Sequence, residues 1–124
     1  MKRVQTATLI LLVLMAAAPS PSGAAGKGDP KAGQAKYDLL CSSCHGATGK
    51  GDGPAAVALN PKPRSLADAA YMKTLTDDAL FKVIKDGGAA VGKSPLMPAW
   101  GAQLKDPEIW DVVAYVRSLA KSEK

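Results

Sequence analysis

The spacing of the chain's two cysteines and its single histidine constrains the fold more than any other feature of the sequence. All three fall in one short stretch, Cys41-Ser42-Ser43-Cys44-His45. On a helical turn, positions i, i+3 and i+4 lie on one face. Cys41, Cys44 and His45 can therefore all point at one flat ligand, and the rest of the chain must be built around it.

The pattern C-x-x-C-H is the attachment signal for c-type haem. In such a site the two sulfurs bond covalently to the edge of the macrocycle, while the imidazole reaches the iron as its proximal ligand. The sequence therefore predicts one covalently bound haem c, attached through Cys41 and Cys44 and ligated by His45.

Two other uses of cysteine and histidine fit the sequence less well. A redox-active C-x-x-C motif requires a βαβ setting, and the chain has no pattern that predicts one. A structural zinc site requires four nitrogen or sulfur ligands. The chain contains only 2 cysteines and 1 histidine, one ligand too few for such a zinc site.

The first 25 residues have the organisation of a secretory signal peptide. Lys2 and Arg3 form a basic segment, residues 7–18 form an apolar segment, and small residues follow. The apolar segment is too short for an ordinary membrane span, which takes about 20 residues. We expect cleavage after Ala24 or Ala25, with an uncleaved anchor as the alternative. The mature chain is then exported and soluble, periplasmic in a bacterium, and does not span the membrane.

Residues 26–124 are expected to form a single domain of roughly 100 residues, which buries only a modest core. A covalently held haem supplies a large apolar body for the rest to pack around. The whole chain has a formal net charge of +5. Cleavage of the leader removes the positive charges of Lys2 and Arg3, so the remaining domain is mildly basic. The lysines are scattered, which argues against nucleic acid as a partner and favours docking on another protein.

Capping signals predict about four helices and no strand. Each predicted helix start carries a capping residue, in two cases followed by proline: Asp29-Pro30, Ser65, Thr76 and Asp106-Pro107. The third helix is expected to stop at Gly87. A loop rich in glycine and proline extends from Gly46 to Arg64. The predicted class is all-α.

The second axial position of the iron needs a ligand other than histidine, because the chain has only one. Methionine is the next candidate, and Met72 and Met97 both lie beyond the leader. Met72 follows Tyr71 in the short predicted helix, where core packing is its expected role. Met97 lies in a loop that Pro95 and Pro98 restrict, which suits a weak ligand held at a fixed distance. Met97 is the preferred candidate, and an open or lysine-bound site is the alternative.

The order of these features resembles that of one known family. The C-x-x-C-H motif comes first, a Met-Pro loop follows, and an amphipathic helix closes the chain. Gly33 and Tyr37 are similar to the Gly-x-x-x-aromatic pair of the first helix in that family, and Met97-Pro98-Ala99-Trp100 is similar to its Met-Pro-x-Trp distal loop. In these respects residues 28–119 resemble the class I monohaem cytochromes c.

The resemblance implies a small class I cytochrome c fold, with about four helices and loops wrapped around one haem. It implies His45 as the proximal and Met97 as the distal iron ligand. It also implies that the last helix crosses the first at Gly33, and that the carbonyl of Pro54 accepts the other N–H of His45.

With both axial positions filled, one-electron exchange remains as the chemistry of the haem. We therefore expect an electron-transfer protein rather than an enzyme, a monomer that docks transiently on a protein donor and then on an acceptor. Lys50, Lys62 and Lys93 are candidates for steering it toward acidic partners. The alternatives are a haem subunit of a larger respiratory or dehydrogenase complex, and a haem sensor or minor peroxidase with a labile methionine ligand.

Overall fold

The structure, a computed structural model, describes residues 27–121, which fold into five α-helices and two 3₁₀ turns with no strand among them. The helices are α1 (Pro30–Leu40), α2 (Ser42–His45), α3 (Ala69–Met72), α4 (Asp77–Asp86) and α5 (Asp106–Leu119). The 3₁₀ turns are Pro54–Ala58 and Ala89–Val91. The all-α prediction is confirmed. The predicted signal peptide and its cleavage sites lie outside the described residues.

One helix more is present than the four predicted, because the attachment motif forms a helix of its own. α1 ends at Leu40, and Cys41 stands between α1 and the single turn of α2. No helix within residues 27–121 is both long enough and apolar enough to cross a membrane.

Two of the four predicted helix caps are confirmed. The Asp29 carboxylate accepts a hydrogen bond from the amide of Lys31 at 2.9 Å, at the start of α1. The Thr76 hydroxyl accepts one from the amide of Ala79 at 3.1 Å, at the start of α4. Each satisfies one of the amides that the first turn of a helix leaves unpaired.

The other two caps are displaced from their predicted positions. α3 starts three residues later than Ser65 predicts, because the carboxylate of Asp68 accepts the amide of Tyr71 at 3.1 Å. A carboxylate is also favoured at a helix N-terminus by the helix dipole. α5 starts at Asp106 with Lys105 as its cap, and the Glu108 carboxylate accepts the Lys105 amide at 2.8 Å.

The crossing of α1 and α5 brings two backbones into direct contact. A Cβ atom at Gly33 would overlap the carbonyl group of Asp111, so only glycine permits this approach. One turn later Tyr37 is 0% exposed, and its ring centroid lies 5.1 Å from that of Tyr115. The predicted crossing is confirmed, with Val112 buried beside it.

The core lies between α5 and the helices packed on it. Its buried residues are Tyr37, Met72, Leu80, Ile84, Leu104, Ile109, Val112, Val113, Val116 and Leu119. Met72 is 2% exposed, as its predicted packing role requires. The Arg117 guanidinium of α5 reaches across to α3 and α4, where it donates to the carbonyls of Met72 and Leu75 and pairs with Asp77 at 2.6 Å.

Candidate haem-binding site

The attachment motif occupies the helical turn that its spacing predicts. The amides of Cys44 and His45 both donate to the carbonyl of Cys41, at 3.2 and 2.9 Å. Both cysteines are free thiols and are half-buried. The backbone thus places two thiols and one imidazole at positions i, i+3 and i+4 of a single turn.

The protonation states of this turn suit covalent attachment rather than thiol redox chemistry. Burial, followed by the nearby Cys44, raises the pKa of Cys41 to about 11. A redox-active C-x-x-C motif instead requires a thiol with a lowered pKa. Burial lowers the pKa of His45, so its imidazole is neutral at neutral pH and can donate a lone pair to a metal.

The zinc interpretation gains no support from the part of the chain that the structure describes. Those residues contain no group of three or more His, Cys, Asp or Glu side chains that could hold a metal ion. A structural zinc site would require four nitrogen or sulfur ligands.

The imidazole of His45 differs in one respect from what the resemblance implies. Its Nδ1 atom is buried and has no hydrogen-bond partner among the described residues, so the expected bond to the Pro54 carbonyl is not formed. Pro54 opens the 3₁₀ turn Pro54–Ala58, and such a turn directs each carbonyl toward the amide three residues on.

The donor set as a whole fits haem c. A buried, unpaired imidazole nitrogen carries a free-energy cost that packing alone does not explain. Its neighbours are two free thiols on the same turn. These three groups are the ones that covalent attachment and proximal ligation of a haem require.

The segment after the motif, residues 46–53, folds back onto it and is called the attachment loop below. It binds three consecutive carbonyl groups. The acceptors and their amide donors are Cys44 with Gly53 at 3.2 Å, His45 with Gly51 at 2.8 Å and Gly46 with Gly49 at 3.1 Å. The Tyr37 hydroxyl also donates to the Gly46 carbonyl, at 2.7 Å. The backbone around His45 is therefore held at every residue from 44 to 46.

Met97 lies in a second loop, residues 87–101, called the methionine loop below. Gly87 ends α4 with φ of 83°, a left-handed conformation that suits glycine. Within the loop, the Met97 carbonyl accepts the amide of Gly88 at 3.0 Å. At its ends, the Gly87 amide donates to the carbonyl of Val83 at 3.0 Å, and the Trp100 amide donates to the carbonyl of Ile84 at 2.9 Å. Both ends of the loop are thus tied to the last turn of α4.

The side chain of Met97 is half-buried and packs against the same core that Cys41 contacts. Its neighbour Leu96 points outward and is 62% exposed. The two candidate methionines therefore differ in burial, because Met72 is enclosed in the core whereas Met97 is only half-buried.

A cluster of two cations on one phenol was not predicted from the sequence. The Arg64 guanidinium lies 4.1 Å from the centroid of the Tyr71 ring. The Lys93 ammonium lies 3.5 Å from the Tyr71 hydroxyl. The three residues come from separate segments, so no local sequence signal announces that they meet.

A small all-α fold that carries a C-x-x-C-H motif on one helical turn defines a c-type cytochrome with one covalently bound haem c. The comparison with known families agrees. A family model described as cytochrome c oxidase, cbb3-type, subunit III matches residues 28–116, and the chain belongs to that family.

Among curated proteins, one relative comes from Rhizobium leguminosarum bv. viciae. It is the Cbb3-type cytochrome c oxidase subunit FixPc, and it is 30% identical over 89 residues, which are 72% of this chain. The chain spans only 27% of the length of that relative.

Solved structures of other c-type cytochromes share the fold. The KustC0563 c-type cytochrome is 23% identical with a TM-score of 0.58, over 70% of this chain and 95% of that one. A chain of the Kuenenia stuttgartiensis reducing HAO-like protein complex is 27% identical with a TM-score of 0.60, over 73% of this chain and 43% of that one. Cytochrome CL of Methylophaga aminisulfidivorans is 27% identical with a TM-score of 0.53, over 74% and 58%.

Proposed function

We propose that this chain is an electron carrier in which His45 and Met97 ligate the iron of a haem c attached through Cys41 and Cys44. The observation that carries the proposal is the tethering of the methionine loop. Its two ends are bonded to the last turn of α4, and the Met97 side chain is half-buried against the core that Cys41 also contacts. Such a loop can present a weak thioether ligand without ordering a flexible segment.

When bound, haem c supplies a one-electron redox couple. Cys41 and Cys44 would hold it covalently, and the neutral imidazole of His45 would ligate its iron. Met97 would supply the second iron ligand and so leave no free position for external ligands. A thioether in that position raises the reduction potential relative to a second histidine. The packed helices around the site keep these groups in place during electron exchange.

Other side chains are placed to hold the outer parts of the macrocycle. We assign the two haem carboxylates to the cluster of Arg64, Tyr71 and Lys93, where two cations and a phenolic donor come together. Val57, which is 82% exposed on the 3₁₀ turn that packs against α2, supplies an apolar surface to the ring.

The function further requires brief contact with protein partners. The chain is proposed to work as an exported monomer that accepts an electron from one redox protein and passes it to another. The leader-like first 25 residues support export to the periplasm. The scattered lysines support an acidic docking surface on the partners.

A second candidate function is that of a haem subunit fixed in a larger complex. The names of two similar proteins support it, an oxidase subunit and a chain of the HAO-like complex. Purification in mild conditions separates the candidates. A mobile carrier elutes at the mass of the monomer, whereas a fixed subunit elutes together with stoichiometric partner chains.

Carbon monoxide binding tests the closed iron site, because it requires a free coordination position. The ferrous protein, made in a host that attaches haem c, is expected to be low-spin. Its absorption spectrum should not change when carbon monoxide is added at neutral pH. A high-spin spectrum that shifts at once with carbon monoxide would contradict the carrier function. That result would favour a haem sensor or a minor peroxidase.

A further inference from the structure

One side chain from the α1–α5 crossing reaches the attachment loop. Tyr37 is fully buried, and its hydroxyl donates to the carbonyl of Gly46, one residue after His45, at 2.7 Å. The same hydroxyl lies 3.6 Å from the point where a Cβ of Gly49 would stand. The Tyr37 hydroxyl therefore lies against the turn that the hydrogen bond between Gly46 and Gly49 closes.

Packing alone does not require this hydroxyl. A phenyl ring at position 37 would fill the same space against Tyr115 and keep the aromatic contact of 5.1 Å. The Gly46 carbonyl is already bonded to the amide of Gly49, at 3.1 Å, and needs no second donor to be satisfied. The hydroxyl thus adds a tether between α1 and the loop, over and above the ring's contribution to the core.

The direction of this hydrogen bond is fixed by chemistry. A carbonyl can only accept, and the phenol must therefore donate. Burial is the largest cause that raises the pKa of Tyr37 well above its usual value. The hydroxyl accordingly keeps its proton at neutral pH and can donate to the Gly46 carbonyl.

We propose that Tyr37 is a positioning residue for the proximal ligand. Its hydroxyl fixes the Gly46 carbonyl and with it the backbone of His45, so that the α1–α5 crossing sets the orientation of the proximal imidazole. The carbonyl of His45 itself accepts the amide of Gly51, at 2.8 Å, and that of Cys44 accepts the amide of Gly53, at 3.2 Å. The Tyr37 hydrogen bond therefore acts on a backbone segment that is already held at His45 and at the residue before it.

The test compares Tyr37→Phe with Tyr115→Phe in the haem-loaded full chain. Each variant removes one phenolic hydroxyl from the same ring pair, but only the first removes the bond to Gly46. In Tyr37→Phe, amide hydrogen exchange at Gly49 and Gly51 is expected to rise about fivefold, which corresponds to a loss of about 1 kcal/mol. The shifted haem methyl resonances of the ferric NMR spectrum, which report imidazole orientation, are expected to move as well.

Tyr115→Phe is expected to leave both signals at their native values. Equal changes in the two variants, or a change in thermal stability alone, would overturn the positioning role and leave Tyr37 as a core residue. A second measurement needs no variant. The Tyr37 hydroxyl proton of the native protein is expected to give a slowly exchanging resonance close in space to Gly49, and its absence would also overturn the inference.

This inference rests on the proposed ligation of iron by His45, and the two can fail separately. Replacement of His45 with alanine tests the ligation, since the low-spin spectrum of the native protein should then be lost. If the His45→Ala variant keeps the low-spin spectrum of the native protein, ligation by His45 is refuted. A native spectrum that depends on His45, together with a silent Tyr37→Phe variant, refutes only the positioning role.

Discussion

The two sides of the proposed haem site are built differently. On the attachment side, the carbonyls from Cys44 to Gly46 are all bonded, and the loop that binds them packs beneath two helices in backbone contact. On the methionine side, the loop from 87 to 101 is bonded to α4 at its ends and closed by the bond between Gly88 and Met97, but Leu96 beside Met97 is 62% exposed. The first proposed ligand, His45, belongs to a helical turn, and the second, Met97, belongs to a loop.

The difference indicates a division of labour. With the proposed ligation, the attachment side would keep the haem in the protein and fix its position, while the methionine side would determine whether the iron is closed to other molecules. Changes on the first side should therefore affect haem retention or global stability. Changes on the second should affect ligand exchange while the fold remains intact.

The largest effect is expected from breaking the attachment side at its covalent bonds. In the double variant Cys41→Ser, Cys44→Ser both thioether bonds are lost, since a hydroxyl does not form them, and no covalent haem should remain. Mass spectrometry of the intact denatured protein measures this directly. The matched control Ser42→Ala, Ser43→Ala changes the two residues between the cysteines and should retain the full haem mass. Covalent haem in the cysteine variant would contradict the assignment.

The next largest effect is expected at the helix crossing. A methyl group in Gly33→Ala would overlap the carbonyl of Asp111, so α1 and α5 must separate. We expect the free energy of unfolding to fall by about 3 kcal/mol, as measured by guanidinium titration. Gln34→Ala, on the exposed side of α1, is the control and should change stability by less than about 0.5 kcal/mol. A stable Gly33→Ala variant would show that the crossing is looser than described.

A smaller effect is expected in the methionine loop. Pro98→Ala frees the backbone next to Met97, so the loop can open more readily, by about 0.4–1 kcal/mol. Added imidazole should then replace Met97 at a concentration about threefold lower than in the native protein. Pro107→Ala at the start of α5 is the control, since it alters a proline outside the loop. Identical imidazole titrations in Pro98→Ala and the native protein would show that Pro98 does not restrain Met97.

The smallest effect is expected from the charge that lies beside Tyr71. Arg64→Gln removes a cation from the cluster assigned to the haem carboxylates, which favours the ferric state and lowers the reduction potential by about 20 mV. Protein-film voltammetry at low ionic strength measures the shift. Lys82→Gln, which removes an exposed charge from α4, should shift the potential by less. A larger shift in Lys82→Gln would place the haem carboxylates elsewhere.

The sequence was most informative where the chemistry is local. The attachment motif, the caps at Asp29 and Thr76, and the stop at Gly87 each depend on residues within one turn, and the structure agrees with them. Gly33 was also assigned correctly, because only a missing side chain allows two helices to touch there. The choice of haem and the helical class followed from these signals.

Tertiary contacts account for what the sequence did not reveal. The cluster on Tyr71 joins residues from separate segments, whose spacing carries no pattern. The cap at Asp68 is local, but Ser65 three residues earlier is also a favoured capping residue, and the sequence alone did not choose between them. The 3₁₀ turn that redirects the Pro54 carbonyl could not be read from a proline alone, since proline begins several kinds of turn. The role of the Tyr37 hydroxyl was hard to predict from the sequence, because phenylalanine would also have served as the aromatic residue of the helix crossing.

The most direct test of the carrier proposal is the ferric absorption spectrum of a matched pair, Met97→Leu and Met72→Leu. Each variant replaces one thioether with an aliphatic side chain of similar volume, which either position should tolerate. We predict that the native protein shows a weak long-wavelength sulfur-to-iron charge-transfer band, that Met72→Leu retains it, and that Met97→Leu loses it. A band that survives in Met97→Leu, or is absent from the native protein, would contradict ligation by Met97 and with it the closed iron site on which the electron-carrier function depends.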